Sequence, residues 1–453
     1  MNPAELAERA LARTRGQAQV TVTRERSQLA RFAGSRPTQA TEVDEVRVDV
    51  LAVCDGATAA AATSEVDDDG LREVGDRAAR AAEAAARAGG GAYPGLPAPG
   101  EPSRGHDGWD PATARLDPSR PGAALASIFD QAGGRGVEAA GVWTAGAVET
   151  ALASSNGLHA ADATTDAHVK VLCHDGSGRS GFAAATATAS GAVDPAAVAR
   201  ASADKCAGGD PAELEPGDYP AVLETDAVGS LLEFLGALAF NGLAHAEGRG
   251  ALHGRLGQLV AAPAVNLSDS PRYPATLPRS IDAEGIAKAP LPLIQDGVAH
   301  AVVHDTRSAA VAGGAARSTG HAVAPGGAPS GPRATNLVMV GGGAADVEAL
   351  AGDIERGVYV TRLWYVNPVH VRRTLLTGMT RDGTFLIEDG RITRPLRDLR
   401  FTDSALGLLQ RVEALGSRPR LTSEAEFYGR RFATGVVCPA IRVGALRITG
   451  ATP

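Results

Sequence analysis

The sequence is poor in aromatic residues, which make up 4% of its 453 positions, and it contains no run of Lys and Arg. Proteins that stack bases need aromatic side chains, and phosphate-binding surfaces need clustered positive charge. The formal net charge is instead -8. These features argue against a nucleic-acid-binding protein.

Long apolar runs are missing as well, because charged residues and glycines interrupt every segment before it reaches the roughly 20 residues of a membrane span. The first residues, "MNPAELAERALARTRG", predict an amphipathic helix and not a secretory signal. Cys54, Cys173, Cys206 and Cys438 are widely spaced and form no C-x-x-C pair. We therefore expect a reduced, cytoplasmic protein without a membrane segment.

Small and apolar residues are abundant, with 55 glycines and a hydrophobic fraction of 44%. The length suffices for two or three domains with their own cores. We predict a first α+β unit over residues 1–95, a Gly/Pro-rich linker or surface loop over 96–115, and a second α+β unit over 116–215. Residues 216–453 are predicted to form a β-rich C-terminal domain.

The two amino-terminal units are predicted to resemble each other. The stretch "VRVDVLAVCDGATAAAAT" aligns with "AHVKVLCHDGSGRSGFAAATAT" around Asp55-Gly56 and Asp175-Gly176. After residue 216, short alternating runs are separated by the hairpin signals "RDG" and "EDG". The expected fold class is α+β: a helix–strand region with two similar units, then a domain of curved antiparallel sheets.

The motif "GSGRSG" (176–181) has the glycine spacing of a dinucleotide-binding loop. That site requires a helix to begin at the motif, so that its amino terminus faces the phosphates. The following residues, "FAAATATAS", alternate as in a strand. We therefore interpret the motif as a hairpin turn.

The stretch "FNGLAHAEGRGALHGR" (240–255) contains His245, Glu247 and His253. A helical H-E-x-x-H zinc site needs two imidazoles one turn apart, with the glutamate beside the first. On a helix His245 and His253 would lie about 12 Å apart along the axis. The glycines of "EGRG" also weaken a helix. We therefore predict a polar loop without a metal.

Four segments of the C-terminal half occur in a family-specific order. They are "PAVLETDAVGSLLEFLGALAFNGLA", "LPRSIDAEGIAKAPLPLIQDGVAHAVVHDTRSA", "RSTGHA" and "GVYVTRLWYVNPVHVRRTLLTGMTRDGTFLIEDGRITRPLRDLRFTDS". With them the chain resembles the TldD/PmbA family, and most closely its PmbA, or TldE-type, branch. The similarity is weaker before residue 210, and the "LLEFLGALAF" helix suits either a core or an interface.

This resemblance implies a pair of proteins. The TldD-type subunit looks like a zinc peptidase, with H-E-x-x-x-H on a helix and a cysteine near its C-terminus as a further ligand. The PmbA-type subunit lacks that motif, and here "FNGLAHAEGRG" is expected at its place, with Cys438 near the cysteine position. We thus expect no catalytic residue, no metal and no cofactor in this chain.

The implied partner is a TldD-like metallopeptidase subunit that carries zinc, and the implied substrates are unfolded peptides and leader peptides. A homodimer is expected as a possible state when the partner is absent. Two other functions stay open: a stand-alone homodimeric hydrolase with a different active site, and a peptide-binding module without catalysis.

Candidate substrate-binding residues lie in "STGHAVAPGGAPSGPRATNLVMVGGG" (318–343), where a mobile Gly/Pro-rich loop is expected to lead into a strand at the chamber wall. They are His321 and Asn336. For His321, a solvated or backbone-bonded side chain is the favoured alternative to a substrate contact.

Overall fold

The computed structural model describes residues 2–206, 209–423 and 430–451. Within these ranges, no helix combines the length and the apolar character that crossing a lipid bilayer requires. The fold is α+β and rich in strands, in agreement with the predicted class.

The amino-terminal half forms one six-stranded antiparallel sheet. Its elements are α1 (Pro3–Leu11), β1 (Gln17–Ala33), β2 (Arg36–Cys54), β3 (Ala57–Thr63), α2 (Asp68–Arg87), α3 (Pro111–Ala114), α4 (Arg120–Gly133), β4 (Glu138–Ser154), β5 (His159–His174), β6 (Ser180–Ala187) and α5 (Pro195–Asp204). The strand order is β3-β2-β1-β4-β5-β6. The two sequence segments predicted as separate units therefore share one sheet through the β1–β4 pairing.

Polar caps explain where several of these helices begin. The side chains of Asn2, Asp67 and Asp194 accept backbone N–H groups at the starts of α1, α2 and α5. These caps satisfy donors that the first turn of a helix leaves without an internal partner. Helix α2 follows an Asp-rich start, and its apolar residues recur at spacings of three and four.

Strand alternation gives this sheet two different faces. In β1, Val20 and Val22 pack into a core with α1 and α2. Thr21 and Thr23, on alternate positions, point to the opposite face and line a cavity there. The helices therefore cover one face of the sheet, and the hydroxyl-bearing face is turned towards the C-terminal domain.

The motif "GSGRSG" forms the turn between β5 and β6, as predicted. Residues 17–33 run as one long strand. Tyr93, just before the predicted linker, and Leu96, its first residue, are buried against Leu51. The similarity of the two units and their boundaries stay predictions.

The C-terminal half contains two more sheets. Its elements are β7 (Gly217–Leu223), α6 (Thr225–Leu238), α7 (Gly242–Ala246), β8 (Leu267–Asp269), β9 (Leu291–Gln295), β10 (Val298–Ala299), α8 (Thr306–Ala312), β11 (Leu337–Met339), α9 (Val347–Ala351), β12 (Arg356–His370), β13 (Leu375–Glu388), β14 (Arg391–Pro395), β15 (Leu399–Ser404), α10 (Ala405–Gln410), β16 (Val412–Leu415), β17 (Arg420–Thr422), β18 (Val436–Cys438) and β19 (Ile441–Ala451). Single turns of 3-10 helix occur at Ser190–Ala192 and Val371–Arg373.

One C-terminal sheet has the order β10-β9-β8-β11-β18-β17, and the other has the order β12-β7-β19-β15-β13-β14. An additional β12–β13 pairing closes the second sheet into a ring. Most pairings in these two sheets are antiparallel, as expected, and the exceptions among the described residues are the parallel pairs β7–β12 and β11–β18. In each of these pairs a long stretch of sequence separates the two strands, and parallel pairing requires such a long connection.

Helix α6 contacts strands of both C-terminal sheets. Eleven of its fourteen residues are buried, as expected for a helix that is apolar on nearly every side. Of the two alternatives for "LLEFLGALAF", core or interface, the segment therefore belongs to the core. The strand predicted after the 318–335 loop is confirmed as β11, and all three of its residues are buried.

A buried ion pair joins the C-terminal domain to the amino-terminal sheet. The Arg431 guanidinium donates to both carboxylate oxygens of Asp166 on β5, at 2.8 and 2.6 Å, and to the Thr144 hydroxyl on β4. Both charged side chains are almost fully buried. Gly146 makes room for Arg431, since a Cβ atom there would lie 2.5 Å from its Nε. The position of residues 430–433 on the sheet thus depends on this contact.

We predict that Asp166→Asn lowers the free energy of unfolding by about 3–5 kcal/mol, because it leaves the buried guanidinium without a counter-charge. Urea denaturation measures the change. The exposed pair of Arg135 and Asp204 gives a matched control, and Asp204→Asn should have a far smaller effect. Equal losses for the two variants would contradict the structural role assigned to Asp166.

Candidate functional site

The stretch that contains His245 and His253 does not form one long helix. Helix α7 ends at Ala246, and Gly248, with φ of +72°, turns the chain back. His253 Nδ1 lies 2.9 Å from the His245 carbonyl oxygen, and the two rings are 5.6 Å apart. The separation of about 12 Å that a continuous helix would give therefore does not apply. The Glu247 carboxylate is paired with Arg249.

Cys438 lies against a different helix. Its Sγ is 3.5 Å from the Thr225 carbonyl oxygen at the start of α6. Because ligands of one zinc ion must converge to about 2 Å from it, the helix that corresponds to the expected motif is α6. The placement of "FNGLAHAEGRG" at that position is thus corrected.

The residues around Cys438 do not fit a zinc ion. Burial raises the pKa of the Cys438 thiol well above its ordinary value, and the neighbouring Asp226 carboxylate raises it further. Zinc binds the thiolate, and its sites in proteins favour imidazole and thiolate ligands. Helix α6 contains no histidine. Across residues 2–206, 209–423 and 430–451, no three His, Cys, Asp or Glu side chains are grouped so as to hold a metal ion.

A cavity of about 370 Å³ lies where the amino-terminal sheet meets the C-terminal domain. One wall is the sheet face opposite the helices. The register places Thr23 beside Thr150, and Thr150 beside Asp162. The other wall comes from the C-terminal segments 279–288, 320–325 and 430–433. Its size lies within the range of about 300–1,000 Å³ that is usual for ligand pockets.

The cavity wall includes a buried cluster around Asp269, at the end of β8. Lys288 Nζ lies 3.1 Å and His321 Nε2 lies 3.2 Å from the same carboxylate oxygen. The other oxygen accepts the backbone N–H groups of Thr335 and Asn336. Burial alone would raise the pKa of Asp269, but Lys288 and His321 hold it below its ordinary value.

His321 occupies the cavity wall and is not solvated, and a backbone hydrogen bond with Thr319 agrees with the backbone-bonded alternative. Its side chain is fully buried, and its Nδ1 lies 2.9 Å from the Thr319 hydroxyl. Burial lowers its pKa, and the Lys288 charge lowers it further. The imidazole is therefore neutral near pH 7. Whether it contacts a substrate stays a prediction.

Asn336 is held behind the cavity. Its side-chain amide donates to the Leu277 carbonyl oxygen at 2.7 Å and to the Thr276 hydroxyl at 3.3 Å. The Asn336 side chain is fully buried. These contacts give it a role in fixing residues 276–277, and a substrate contact stays a prediction.

The expected lack of anchors in the 318–335 loop is also wrong. Gly320, His321 and Ala322 are buried, and the Ala322 N–H donates to the Asp282 carboxylate at 2.9 Å. Composition alone suggested little apolar area to bury, but polar contacts with distant segments hold this part of the loop in place.

Two carboxylic acids beside the cavity were missed by sequence reasoning. Burial raises the pKa of Asp282 to about 6, although three backbone N–H groups oppose the shift. Burial and the Asp282 charge raise the pKa of Glu284 to about 7. The Tyr93 hydroxyl donates to Glu284 at 3.2 Å. The segment "DAEG" gave the acidic residues, but their burial depends on Tyr93, almost two hundred positions away in the sequence.

Comparisons with known proteins agree with this architecture. The fold is similar to that of TldE from Thermococcus kodakarensis, with a TM-score of 0.84 and 18% identity over 98% of this chain and 99% of that one. This likeness shows a shared α+β fold. The family model described as the PmbA/TldA metallopeptidase C-terminal domain matches residues 216–450. The chain belongs to the PmbA/TldD family.

Two curated relatives have metalloprotease names. A metalloprotease from Methanothermobacter thermautotrophicus is 27% identical over 196 residues, which cover 42% of this chain and 42% of the relative. A metalloprotease TldD homolog from Haemophilus influenzae is 24% identical over 240 residues, covering 51% of this chain and 46% of that protein. The chain thus spans less than half the length of the curated relatives that it matches.

We predict that wild-type stability falls as pH rises from about 5 to 7, in part because of Glu284. Its pKa is raised from 4.5 to about 7, so the stabilisation is complete below the ordinary pKa and is lost as pH rises through the folded-state value. Glu284→Gln should remove up to about 3 kcal/mol of this dependence.

Urea denaturation of both proteins at the two pH values measures the difference. Glu355→Gln, at an exposed position, is the control and should keep the wild-type dependence. If Glu284→Gln also keeps it, the carboxylate is ionised in the folded protein and the assignment is wrong.

Proposed function

We propose that this chain is the non-catalytic, TldE-like subunit of a TldD/TldE-type zinc metallopeptidase complex of the cytoplasm. The observation that carries the proposal is the helix facing Cys438, which is a buried apolar core helix without an imidazole. A TldD-like partner would supply the zinc ion and the hydrolytic chemistry. This subunit would hold unfolded peptides or leader peptides for cleavage.

The cavity between the sheet and the C-terminal domain supports the peptide-holding role. Its walls combine apolar side chains such as Leu51 and Val148 with the hydroxyl groups of Thr23 and Thr150. Apolar walls with a few polar groups are typical of sites that bury a ligand and fix its orientation. Here the chain's own residues would bind and orient a peptide and exclude water from it.

An exposed apolar edge supports the presence of a partner. We name residues 364–370, the outer part of β12, the edge arm. Trp364, Tyr365 and Val369 expose 40%, 76% and 56% of their surfaces. Within the described residues, β7 pairs with β12 only at 358–360, so that side of the edge arm is open. Open edges and apolar patches favour association, and we assign this one to the TldD-like subunit.

The proposal predicts that this chain alone neither cleaves an unfolded peptide nor retains stoichiometric zinc. Co-expression with a TldD-like subunit should give a complex that cleaves the peptide and carries zinc only in the partner. Peptide cleavage followed by mass spectrometry, together with metal analysis of each separated chain, measures both properties. Zinc-dependent cleavage by the isolated chain would contradict the proposal and favour a stand-alone hydrolase.

A variant of the edge arm separates assembly from folding in the same experiment. Tyr365→Glu combined with Val369→Glu should reduce co-purification and cleavage together, while the thermal transition of the isolated chain is preserved. Leu259→Glu, at another exposed apolar position, is the matched control. Full co-purification of the edge-arm variant would remove this surface from the proposed interface.

A further inference from the structure

Arg279 is a half-buried guanidinium on the C-terminal wall of the cavity. One of its terminal nitrogens donates to the Ala433 carbonyl oxygen at 2.8 Å. The Phe432 ring lies over the guanidinium carbon at 3.7 Å, which covers one face of the group. Its Nε is buried and has no hydrogen-bond partner among the described residues. A buried donor without a partner is costly, so this group is a site for an acceptor.

The acidic side chains near Arg279 are already engaged. Asp162 binds His106 through one oxygen, at 2.8 Å, and the Ser280 N–H through the other, at 3.0 Å. Asp166 is paired with Arg431. Within the described part of the chain, no carboxylate forms an ion pair with Arg279, although Asp162 and Asp166 influence it through space. The guanidinium therefore retains positive charge that a ligand can neutralise.

The hydrogen-bonding groups of the Arg279 guanidinium indicate which class of ligand it would bind. An arginine guanidinium presents a planar array of N–H donors that matches a carboxylate, and a charged pair of this kind is stronger than a neutral hydrogen bond. The sheet wall opposite carries threonine hydroxyls and apolar side chains, which suit the last residues of an extended chain. Phe432 is half-exposed at the rim, so a peptide can enter beside the stacked guanidinium.

We infer that the cavity binds the carboxylate end of an extended peptide, with the Arg279 guanidinium as the group that recognises the free C-terminal carboxylate. This inference rests on the proposed peptide-holding function and adds to it a direction for the bound chain. Arg279 is a binding residue in this account and takes no part in hydrolysis.

The test uses the full chain, alone and in the reconstituted pair, with three fluorescein-labelled ten-residue peptides of Gly, Ser, Ala and Leu. The first ends in a free carboxylate, the second in an amide, and the third is the amide with one internal Glu. Fluorescence anisotropy should show that the free acid binds at least about tenfold more tightly than the plain amide. Arg279→Met should abolish the difference and Arg279→Lys should keep part of it, while Arg391→Met, at an exposed position, should leave it unchanged.

Equal binding of the acid and the plain amide overturns the inference, and cleavage of both by the pair then leaves the proposed function standing. Absence of binding by every peptide, alone and in the pair, overturns both. Tight binding of the amide that carries Glu overturns the assignment of the C-terminal carboxylate, because an acidic side chain would then be the ligand of the guanidinium. If Arg279→Met fails to fold, two measurements still decide the question. They are the binding of the peptides by Arg279→Lys, and the difference in affinity of the wild-type protein for the free acid and the plain amide.

Discussion

The buried ion pair between Arg431 and Asp166 determines where the C-terminal domain meets the amino-terminal sheet. A guanidinium and a carboxylate that are both removed from water must stay together, because either one alone would carry a large desolvation penalty. Residues 430–433 are thereby held across the polar face of the sheet. That placement puts Phe432 against Arg279, and the two side chains form part of the C-terminal wall of the cavity.

The structure divides two kinds of chemistry between two regions. Around α6 and Cys438 the side chains are those of a core: apolar, tightly packed and without an imidazole ligand. Around the cavity, polar and charged side chains, several of them buried, are combined with apolar ones. In the Asp269, Lys288 and His321 cluster the Asp269 carboxylate faces the Lys288 ammonium and the neutral His321 imidazole, and this pairing lets polar groups remain in the protein interior. A protein that holds a peptide without hydrolysing it needs a polar cavity of this kind, and it does not need metal ligands around α6 and Cys438.

The sequence predicts those structural elements whose signals lie in neighbouring residues. The capped, apolar-spaced helix α2 and the turn at "GSGRSG" follow from residues within about twenty positions of each other. Sequence reasoning failed where contacts join distant segments. His321 is buried because Asp269 and Lys288 surround it, and His245 and His253 lie close together because the helix ends at Ala246.

The cavity itself had no local signal, since its walls combine strands near residue 20 with a segment near residue 430. The family resemblance, carried by the order of four segments, is confirmed by the family model that matches residues 216–450. It did not indicate which helix faces Cys438. That assignment required the packing of β18 against α6, which brings residues 225 and 438 together.

The central claim is that this chain holds the peptide while its partner cleaves it. The most direct measurement is photo-crosslinking in the reconstituted pair, with a peptide that carries a photoreactive phenylalanine analogue close to its C-terminus. The account predicts crosslinks to this chain on both cavity walls, within residues 21–23 or 148–150 of the sheet and within residues 430–433. Crosslinks confined to the partner subunit, or to surfaces of this chain away from the cavity, would contradict it.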